Sequence, residues 1–489
     1  MPETPAGVVM NICGVEVSSL EYNSKNVVDD SAFFAIEGHR ENGNDYVEEA
    51  IENGAKIVFT NNAKGLTNVS ARGAKIIEVK DVRKTLANMS CAFYNNPSEE
   101  VQVIGITGTK GKTSVTFMIK NILETAGIKT GIIGTVMCGY DGHYVKSSAT
   151  TPQSVDLQKM MRQMVDAGCK VIVMEVSSQG LMHKRVEGVD FNIGVFTNIS
   201  PDHIGEAEHK DFDDYYYCKS HLLDLSKRVI INGDVALWRE ATKKHKNKKV
   251  ISFGKEDADL SYVVKGFSQK DGCLETTFDV NGRSPYGDET ARSLSIPLPG
   301  EFNVENALAA ISVSRALGVP WDIIEKGLKS VKIPGRAERV EVSNSFTTMV
   351  DYAHNGVALK NLLLSLKKYE PNRLVVVFGC GGNRDKNRRF EMGRAAYQLA
   401  DCIIVTSDNP RNEEPQMIIE DITSVMSFCD KIILAIPDRK EAIRRAIEGG
   451  RDGDIIVIAG KGHETYQIIG DKIIEFDDRE AILSCRKEQ

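Results

Sequence analysis

The sequence predicts an α/β fold built on parallel sheets, and three observations support this prediction. Short apolar runs alternate with helical stretches in the middle and in the last part of the chain. These runs are continuously apolar, as expected for parallel strands that helices cover on both faces. A Gly-rich loop, GTKGKTS, stands between one such strand and an amphipathic helix, and that position is typical of phosphate binding in α/β folds.

The middle of the chain predicts a parallel sheet with a small insertion. The strand-like runs are 101–107, 129–135, 170–176, 191–197 and 227–232. After the first run, helical spacing relates Val115, Met118, Ile119, Ile122, Leu123 and Ala126. The stretch 260–300 contains short strand-like pieces instead, with Asn281-Gly282 as a turn signal. We therefore expect an antiparallel insertion there.

The last part of the chain predicts a Rossmann-like domain. Its strand-like runs are 373–379, 401–407, 431–437 and 454–460, and Asp438 is placed to cap a helix over 439–448. Ligands bind outside the carboxyl ends of the strands in such sheets. Three unusual sequences, CGGNRD, DNPR and GKGHE, follow strands of this domain.

Length and punctuation predict three domains. A chain of 489 residues corresponds to about three domains at ~150 residues each. Turn-rich sequences occur near 95–100 (NNPSEE) and 333–336 (IPGR). The predicted domains are therefore 1–98, 99–333 and 334–489.

Composition narrows the class of protein. The chain carries 61 Lys+Arg and 68 Asp+Glu, a net charge of −7, which argues against a nucleic-acid-binding protein. No apolar run reaches the ~18 residues of a membrane span, and the N-terminus MPETPAGVVMNICG lacks a basic leader region. The 10 cysteines include no C-x-x-C pair, as is typical of reduced proteins. We expect a cytoplasmic protein without membrane insertion.

The Gly-rich loop Gly108-Thr-Lys-Gly-Lys-Thr-Ser114 is the strongest chemical signal. Glycines let backbone N–H groups surround phosphate oxygens, and the helix N-terminus adds partial positive charge. Lys112 would reach the β- and γ-phosphates, and the Thr113 hydroxyl would bind Mg²⁺. Ile106 stands where the strict phosphate-loop pattern has glycine. The loop predicts ATP or GTP binding without indicating the reaction.

Three further residues become candidates for the active site because they belong to the same predicted parallel-sheet domain as the Gly-rich loop. Glu175 ends a predicted central strand, where a carboxylate could hold Mg²⁺, although a strand-end acid can also be merely solvated. His203 follows another central strand, and Lys219 lies on a predicted helix. Taken singly, each of these two is more often a structural residue than a functional one, and only the context of the loop favours a functional role.

Basic clusters predict anionic substrates, because the fork of arginine binds carboxylates and phosphates bidentately. The clusters contain Arg185, Arg336, Arg339, Arg384, Lys386, Arg388 and Arg389. Asp408-Asn409-Pro410-Arg411 places an acid and a base close together, which suits an amino-acid zwitterion. A solvated charge run and an Asn-Pro turn are the alternative interpretations.

These motifs together resemble the Mur ligases, a family of ATP-dependent amide-forming enzymes of peptidoglycan precursor synthesis. The resemblance covers essentially the whole chain and includes, in order, GTKGKTS, TTP, EVSSQGL, TNISPDH, FNVENALAA, PGRAE, DYAHN, GGNRDK, DNPR and GKGHE. It implies the three-domain architecture of that family. In that architecture the N-terminal domain binds the UDP substrate, the central domain binds ATP, and the C-terminal domain binds the incoming amino acid.

The resemblance also implies roles for individual residues. Those implied for ATP are Gly108, Thr109, Lys110, Gly111, Lys112, Thr113, Ser114, Asn306, Arg336 and Asp351. Those implied for UDP-N-acetylmuramoyl-L-alanyl-D-glutamate are Ser24, Thr150, Thr151, Ser177, His183 and Arg185. Those implied for the diamino acid are Arg384, Asp408, Asn409, Pro410, Arg411, Gly460 and Glu464. The implied catalytic residues are Lys112, Glu175, His203 and Lys219.

Two chemical expectations accompany these roles. The resemblance implies that Mg²⁺ is held by Thr113, Glu175, His203 and Lys219, with Lys219 modified to N6-carboxylysine, because a carbamate can ligate a cation and an ammonium cannot. It also implies that the Arg411 form of the DNPR motif accompanies meso-2,6-diaminopimelate, whose second carboxylate an arginine can pair. Lanthionine has the same two ends and fits the same contacts. We expect a monomer.

The sequence departs from the family pattern at three places: Lys25 follows Ser24 where arginine is usual, His183 replaces glutamine, and Gly356 follows Asn355 where proline is usual. A folylpolyglutamate synthase shares the loop and the ligase chemistry but has no reason to carry DNPR. A non-catalytic nucleotide-binding scaffold is a third hypothesis. The residues that argue against it are the intact Lys112, Thr113, Glu175, His203 and Lys219.

Overall fold

The computed structural model describes residues 9–38, 41–64, 66, 73–147, 149–205, 208–283, 289–427 and 431–486. Residues 1–8, which begin the segment judged not to be a leader, and Cys429 lie outside these ranges. The described chain forms two compact units. The first unit extends to Phe253 and includes Ala309–Val319; the second contains Gly254–Leu308 and Pro320–Gln489. The domain bounds 1–98, 99–333 and 334–489 stay a prediction.

The first unit opens with a small parallel sheet. After the hairpin β1 and β2, the strands β3 to β6 pair in sequence order, and helices α1 to α3 follow or interrupt them. The bounds are β1 Met10–Ile12, β2 Val15–Val17, β3 Ser19–Glu21, β4 Ser31–Phe34, α1 Val47–Glu52, β5 Ala55–Thr60, β6 Lys75–Glu78, α2 Val82–Phe93 and α3 Pro97–Glu100, with 3-10 helices Ser24–Asn26 and Gly43–Tyr46. Phe34 and Phe59 stack in its core, with ring centroids 4.7 Å apart.

A larger sheet carries the Gly-rich loop. Its order is β10-β9-β8-β11-β7-β12-β13-β14, parallel from β8 to β14, with β9 and β10 as an antiparallel hairpin at one edge. The bounds are β7 Gln102–Thr107, α4 Lys112–Thr125, β8 Thr130–Ile133, β9 Cys138–Tyr140, β10 His143–Val145, α5 Ser154–Asp166, β11 Val171–Glu175, α6 Ser178–Met182, β12 Phe191–Phe196, α7 Phe212–Leu225, β13 Ser226–Asn232, α8 Ala236–Thr242 and β14 Lys249–Gly254. This sheet confirms the five predicted strands. Helix α4 buries the predicted face through Val115, Met118, Ile119, Ile122 and Leu123.

The second unit begins with the predicted antiparallel strands. They are β15 Leu260–Lys270, β16 Cys273–Arg283 and β17 Glu289–Ile296. Helix α9 Glu301–Ala316 follows, with residues 309–316 belonging to the first unit, and then α10 Trp321–Lys329. The predicted turn at Asn281-Gly282 is wrong, because both residues lie within β16 and pair with Ala291 and Thr290. Gly282 is needed for close approach: a Cβ there would lie 2.1 Å from the Asp259 carbonyl oxygen. The β15–β16 turn is Asp271-Gly272 instead, with φ of 51° and 66°, an Asp-Gly signal typical of hairpins.

The rest of the second unit is the predicted Rossmann-like domain. Its sheet has the order β18-β19-β23-β20-β21-β22 and is parallel from β19 to β22. The bounds are β18 Glu338–Arg339, β19 Thr347–Asp351, α11 Gly356–Lys367, β20 Leu374–Phe378, α12 Asn387–Leu399, β21 Cys402–Val405, α13 Pro415–Thr423, β22 Ile432–Ala435, α14 Arg439–Glu448, β23 Ile455–Ala459, β24 Tyr466–Ile469, β25 Lys472–Glu475 and α15 Asp478–Leu483. Asp438 caps α14 as predicted, because its carboxylate accepts a hydrogen bond from Glu441 N.

Among the described residues, no helix combines the length and the apolar character that a bilayer span requires. The described cysteines form no disulfide.

Candidate active site

The Gly-rich loop connects β7 to α4 and folds closely onto the adjacent strand. Gly108 has a φ of +146°, and a Cβ there would lie 1.9 Å from Thr197 Oγ1. Thr197 Oγ1 donates to Lys110 O at 2.8 Å, and Lys110 N donates to the Asn198 side chain at 2.8 Å. Gly111 precedes the helix with a φ of 87°. The segment after β12 therefore fixes the loop conformation.

Lys112 and Lys219 converge on one backbone carbonyl of this loop. Lys112 Nζ lies 2.9 Å from Gly108 O, and Lys219 Nζ lies 3.0 Å from the same oxygen. Lys219 is only 1% exposed, and its Nζ lies 4.7 Å from the centroid of the Tyr215 ring. Burial, and next the charge of Lys112, hold the pKa of Lys219 well below its usual range.

Glu175 is the centre of a buried hydroxyl cluster at the carboxyl end of β11. It is 1% exposed. Its Oε1 accepts hydrogen bonds from Thr113 Oγ1 at 3.0 Å and from Thr135 N at 2.9 Å, and its Oε2 accepts from Thr135 Oγ1 at 3.0 Å. Ser114 follows Thr113 in the first turn of α4. Parallel strands bring Glu175 and the Gly-rich loop to one edge of the sheet, as predicted.

The residues expected to bind the dipeptide substrate adjoin this cluster. Thr150 Oγ1 lies 3.0 Å from Thr135 Oγ1, and Thr151 Oγ1 lies 3.0 Å from Glu175 O and 3.1 Å from Ser177 Oγ. Arg185 Nη1 donates to Thr151 O at 2.9 Å. The structure therefore brings these predicted residues together.

His203 and Ser24 are placed differently. The His203 side chain is 50% exposed, and its Nδ1 lies 2.9 Å from Glu208 Oε1. No hydrogen bond within the described part of the chain joins His203 to Glu175. Ser24 is buried, and its hydroxyl donates to Glu49 Oε2 at 2.7 Å.

The donor set at Glu175 fits a hard divalent cation. Mg²⁺ prefers oxygen ligands, and the Thr113 hydroxyl and the Glu175 carboxylate already lie in contact. Lys219 as an amine does not fit, because its Nζ donates to Gly108 O and Mg²⁺ takes oxygen ligands. Conversion to a carbamate would supply the oxygens.

In the second unit, Arg336 and Asp351 lie close together beside Tyr352. The Arg336 guanidinium is 4.8 Å from the centroid of the Tyr352 ring. The Asp351 carboxylate accepts from Ala337 N at 2.7 Å and from Ala353 N at 2.8 Å. Burial raises the pKa of the Asp351 carboxyl, and the charge of Arg336 opposes this shift. Asn306 Nδ2 donates to Asn303 Oδ1 at 3.1 Å.

The DNPR and GKGHE sequences form one buried polar network. Asn409 Nδ2 donates to Glu464 Oε2 at 3.1 Å, and Asn409 Oδ1 accepts from Lys461 Nζ at 3.0 Å. Lys461 Nζ also lies 3.2 Å from Glu464 Oε2, and the Lys461 side chain is fully buried. Burial raises the pKa of Asp408, while the charges of Lys461 and Arg439 lower it. A Cβ on Gly460 would lie 2.7 Å from Asp408 Oδ2.

Arg411 joins this network to the third unusual sequence, CGGNRD. Its Nη1 donates to Gly382 O at 2.7 Å, and its backbone N, next to Pro410, donates to Ile468 O at 3.0 Å. Arg411 has a φ of 53°, a conformation that costs about 1–3 kcal/mol in a bulky residue. Arg384 lies exposed in the CGGNRD loop. All three loops thus meet at one end of the sheet.

Arg389 is not a substrate-binding residue, contrary to the interpretation of the basic cluster. It is 1% exposed and donates to Glu413 Oε2 at 2.7 Å and to Asp421 Oδ2 at 2.8 Å. A buried guanidinium needs paired acids, and here it has two. Arg389 therefore ties α12 to the DNPR loop and to α13.

Sequence reasoning missed Thr135, Tyr215 and Lys461. Thr135 ends the predicted strand 129–135, which is a usable positional signal for a residue at the carboxyl edge of the sheet. Tyr215 OH lies 3.0 Å from Thr109 Oγ1, and its ring packs under Lys219. A cavity of about 580 Å³ between the β9–β10 hairpin and α5 includes none of the predicted site residues in its lining.

Comparisons with known proteins establish the family. Three family models match the chain: "Mur ligase family, catalytic domain" over residues 16–94, "Mur ligase middle domain" over 106–314 and "Mur ligase, glutamate ligase domain" over 335–462. The chain belongs to the Mur ligase family. It is an ATP-dependent ligase with the three-domain architecture of that family.

Two individual relatives carry the name of one particular ligase of this family. The UDP-N-acetylmuramoyl-L-alanyl-D-glutamate–2,6-diaminopimelate ligase of Clostridium perfringens is 40% identical over 475 residues, covering 96% of this chain and 94% of that protein. The enzyme of the same name from Caldanaerobacter subterraneus is 40% identical, covering 97% and 95%.

Solved structures show the same fold. A structure of a UDP-N-acetylmuramoyl-L-alanyl-D-glutamate–2,6-diaminopimelate ligase matches with a TM-score of 0.71 and 29% identity, covering 96% of this chain and 94% of that one. The MurF ligase of Thermotoga maritima in complex with ADP matches with a TM-score of 0.60 and 18% identity, covering 96% of each chain. A folylpolyglutamate synthase of Thermotoga maritima covers only 77% of this chain, with a TM-score of 0.60 and 21% identity.

Proposed function

We propose that this ligase joins meso-2,6-diaminopimelate to the γ-carboxylate of the D-glutamate in UDP-N-acetylmuramoyl-L-alanyl-D-glutamate, a step of peptidoglycan precursor synthesis. The observation that carries the proposal is the network of DNPR and GKGHE, which places Arg411, Asn409 and Glu464 at the carboxyl end of one sheet. These groups can bind two carboxylates and an ammonium. The printed names of the relatives at 40% identity support the same substrates.

The reaction has two steps. The γ-carboxylate first attacks the γ-phosphorus of ATP, the bond to ADP breaks, and an acyl phosphate forms. The amine of the diamino acid then attacks the acyl carbon through a tetrahedral intermediate, and phosphate leaves as the amide forms and the amine loses a proton. The loop amides and Lys112 stabilise the charge of the transferred phosphoryl group.

Thr113 and Glu175 would hold Mg²⁺, with His203 and a carbamylated Lys219 as further proposed ligands. Bound Mg²⁺ would neutralise phosphate oxygens during transfer. The Lys219 environment supports the modification, because burial and the charge of Lys112 lower the pKa of Lys219 and so favour the neutral amine, whose lone pair can attack CO₂. The new C–N bond forms as one proton leaves the nitrogen, and a carbamate results.

The test is phosphate release from ATP with the UDP-dipeptide substrate and one of three amines. We expect phosphate release with meso-diaminopimelate and none with L-lysine, which lacks the second carboxylate. Lanthionine has the same two ends as diaminopimelate, so any release with lanthionine would depend on the same contacts. Release with lysine alone would retain the ligase and overturn the specificity. No release with any amine, from protein that binds ATP, would favour the non-catalytic scaffold.

Arg411→Ala is expected to raise the KM for diaminopimelate by roughly 10–100-fold, because a buried carboxylate would lose its charged partner. The KM for ATP should stay unchanged, since the Gly-rich loop lies on another sheet. Arg394→Gln, which removes an exposed arginine of α12, is the matched control. An unchanged KM for the diamino acid in the Arg411 variant would contradict the assignment.

A further inference from the structure

Arg83 lies on helix α2, beside the first small sheet, and is outside the set of site residues that the sequence predicted. Arg83 occupies the first turn of α2, one position after Val82. Its Nη2 donates to Glu37 O at 2.9 Å. A cation in the first turn of a helix is on the unfavourable side of the helix dipole, so this position does not stabilise the helix.

Two ion pairs, called the crossed ion pairs below, join the start of α2 to the segment 184–187 and bring Arg83 near Arg185. Lys184 Nζ lies 2.8 Å from Asp81 Oδ2, and Lys84 Nζ lies 3.1 Å from Glu187 Oε1. These pairs align the start of α2 with the loop after α6. The residues between them, Arg83 on one segment and Arg185 on the other, are therefore both positive.

Neither guanidinium is hydrogen-bonded to an acid of the residues that the structure describes. The nearby acids are engaged: Asp81 and Glu187 form the crossed pairs, and Asp156 accepts from Tyr22 OH at 2.8 Å. Arg185 Nε is buried without a hydrogen-bond partner.

The surroundings disfavour the positive charge of both arginines. Burial, followed by the charge of Arg185, lowers the pKa of Arg83, and the charge of Asp81 opposes this shift only in part. Burial, followed by the charges of Arg83 and Arg185, lowers the pKa of His183 to about 4. His183 is therefore neutral near pH 7. Two arginines are kept close at a cost in stability, and a bound anion would remove that cost.

We propose that Arg83 and Arg185 together bind an anionic group of the nucleotide substrate, either its diphosphate or a carboxylate of its dipeptide. The inference rests on the proposed function, because that substrate carries both groups. Arg83 thereby joins α2 to the dipeptide site at Thr151. The shared chemistry is recognition of oxyanions by guanidinium forks.

The test is calorimetric binding to the full chain and to Arg83→Gln, Arg83→Lys and Lys80→Gln. The ligands are the complete UDP-dipeptide substrate, UDP alone, and N-acetylmuramoyl-L-alanyl-D-glutamate without nucleotide. We expect Arg83→Gln to bind the complete substrate roughly 10–100-fold more weakly, with Arg83→Lys intermediate because it keeps the charge and loses the fork. Lys80→Gln, the same charge change at an exposed position, should bind as the parent does.

The smaller ligands separate the two sources. Weaker binding of UDP with unchanged binding of the nucleotide-free ligand assigns Arg83 to the diphosphate, and the reverse assigns it to a carboxylate. The Tm without ligand should stay the same or rise in Arg83→Gln, because like-charge repulsion is removed. Unchanged binding of every ligand, or a Tm that falls by several degrees and is restored by lysine, would overturn the proposal in favour of a structural arginine.

A failure of the proposed function gives a different result. If the parent protein binds none of the three ligands, the substrate assignment is wrong. Inorganic diphosphate, titrated with ADP present to occupy the Gly-rich loop, then tests the anion site by itself. Binding that Arg83→Gln weakens would support the site, and equal binding or none would overturn it.

Discussion

Lys112→Ala is expected to lower kcat for substrate-dependent phosphate release by at least ~100-fold, the usual effect of removing one preorganised donor from a transition state. Lys112 begins helix α4, and its ammonium lies at Gly108 O within the loop. Its charge is thus positioned where transferred phosphoryl oxygens would be bound. The measurement is single-turnover and steady-state phosphate release from ATP.

The control for this variant is Lys120→Gln on the same helix. Lys120 pairs with Glu124 at 2.6 Å across one turn, a contact worth a few tenths of a kcal/mol. The Lys120→Gln variant should therefore leave kcat unchanged. If Lys112→Ala turned over at the parent rate while its circular dichroism spectrum was unchanged, the assignment of the Gly-rich loop to phosphate binding would be wrong.

Asp478→Ala is expected to lower the free energy of unfolding of the second unit by about 3–5 kcal/mol, because it leaves a buried guanidinium unpaired. Arg439 and Asp478 are both fully buried, with Arg439 Nε 2.7 Å from Asp478 Oδ1. Arg439 also donates to Ser407 O at 3.2 Å and to Ala459 O at 3.1 Å. Those carbonyls immediately precede the DNPR and GKGHE sequences, so the variant should also weaken diamino-acid binding.

Urea unfolding followed by circular dichroism measures the first effect, and the KM for diaminopimelate measures the second. Glu480→Gln, an exposed position of the same helix α15, should change stability by less than about 0.5 kcal/mol. A stable Asp478→Ala protein would show that water or another group solvates Arg439, contrary to its burial.

Periodicity and local chemistry were sufficient for much of the fold. Continuous apolar runs predicted the strands of both parallel sheets, and Asp438 predicted a helix start, because those signals are local in sequence. Asn281-Gly282 failed since the same dipeptide can extend a strand where another backbone approaches the glycine. The competing Asp271-Gly272 signal was equally local and was the correct one.

The candidate site was predictable only where a motif carried it. Glu175 and Thr113 meet as expected because β11 and β7 are adjacent parallel strands. Tyr215 and Lys461 were missed because their roles depend on contacts made only after folding, to Thr109 and Asn409. Arg389 was wrongly grouped with the substrate-binding arginines for the same reason, since its partners Glu413 and Asp421 lie 24 and 32 positions away along the chain. The individual substrate contacts stay predictions.

The crossed ion pairs between α2 and the segment 184–187 also bear on how substrates are selected by size. They belong to one compact unit that contains both Ser24, at the predicted uridine end, and Glu175, at the predicted phosphorylation end. Because both residues belong to the same compact unit, the distance between the two predicted ends of the site is fixed by the packing of that unit. We therefore expect a nucleotide substrate one amino acid shorter or longer than the dipeptide to release phosphate from ATP more slowly, in the same phosphate-release measurement.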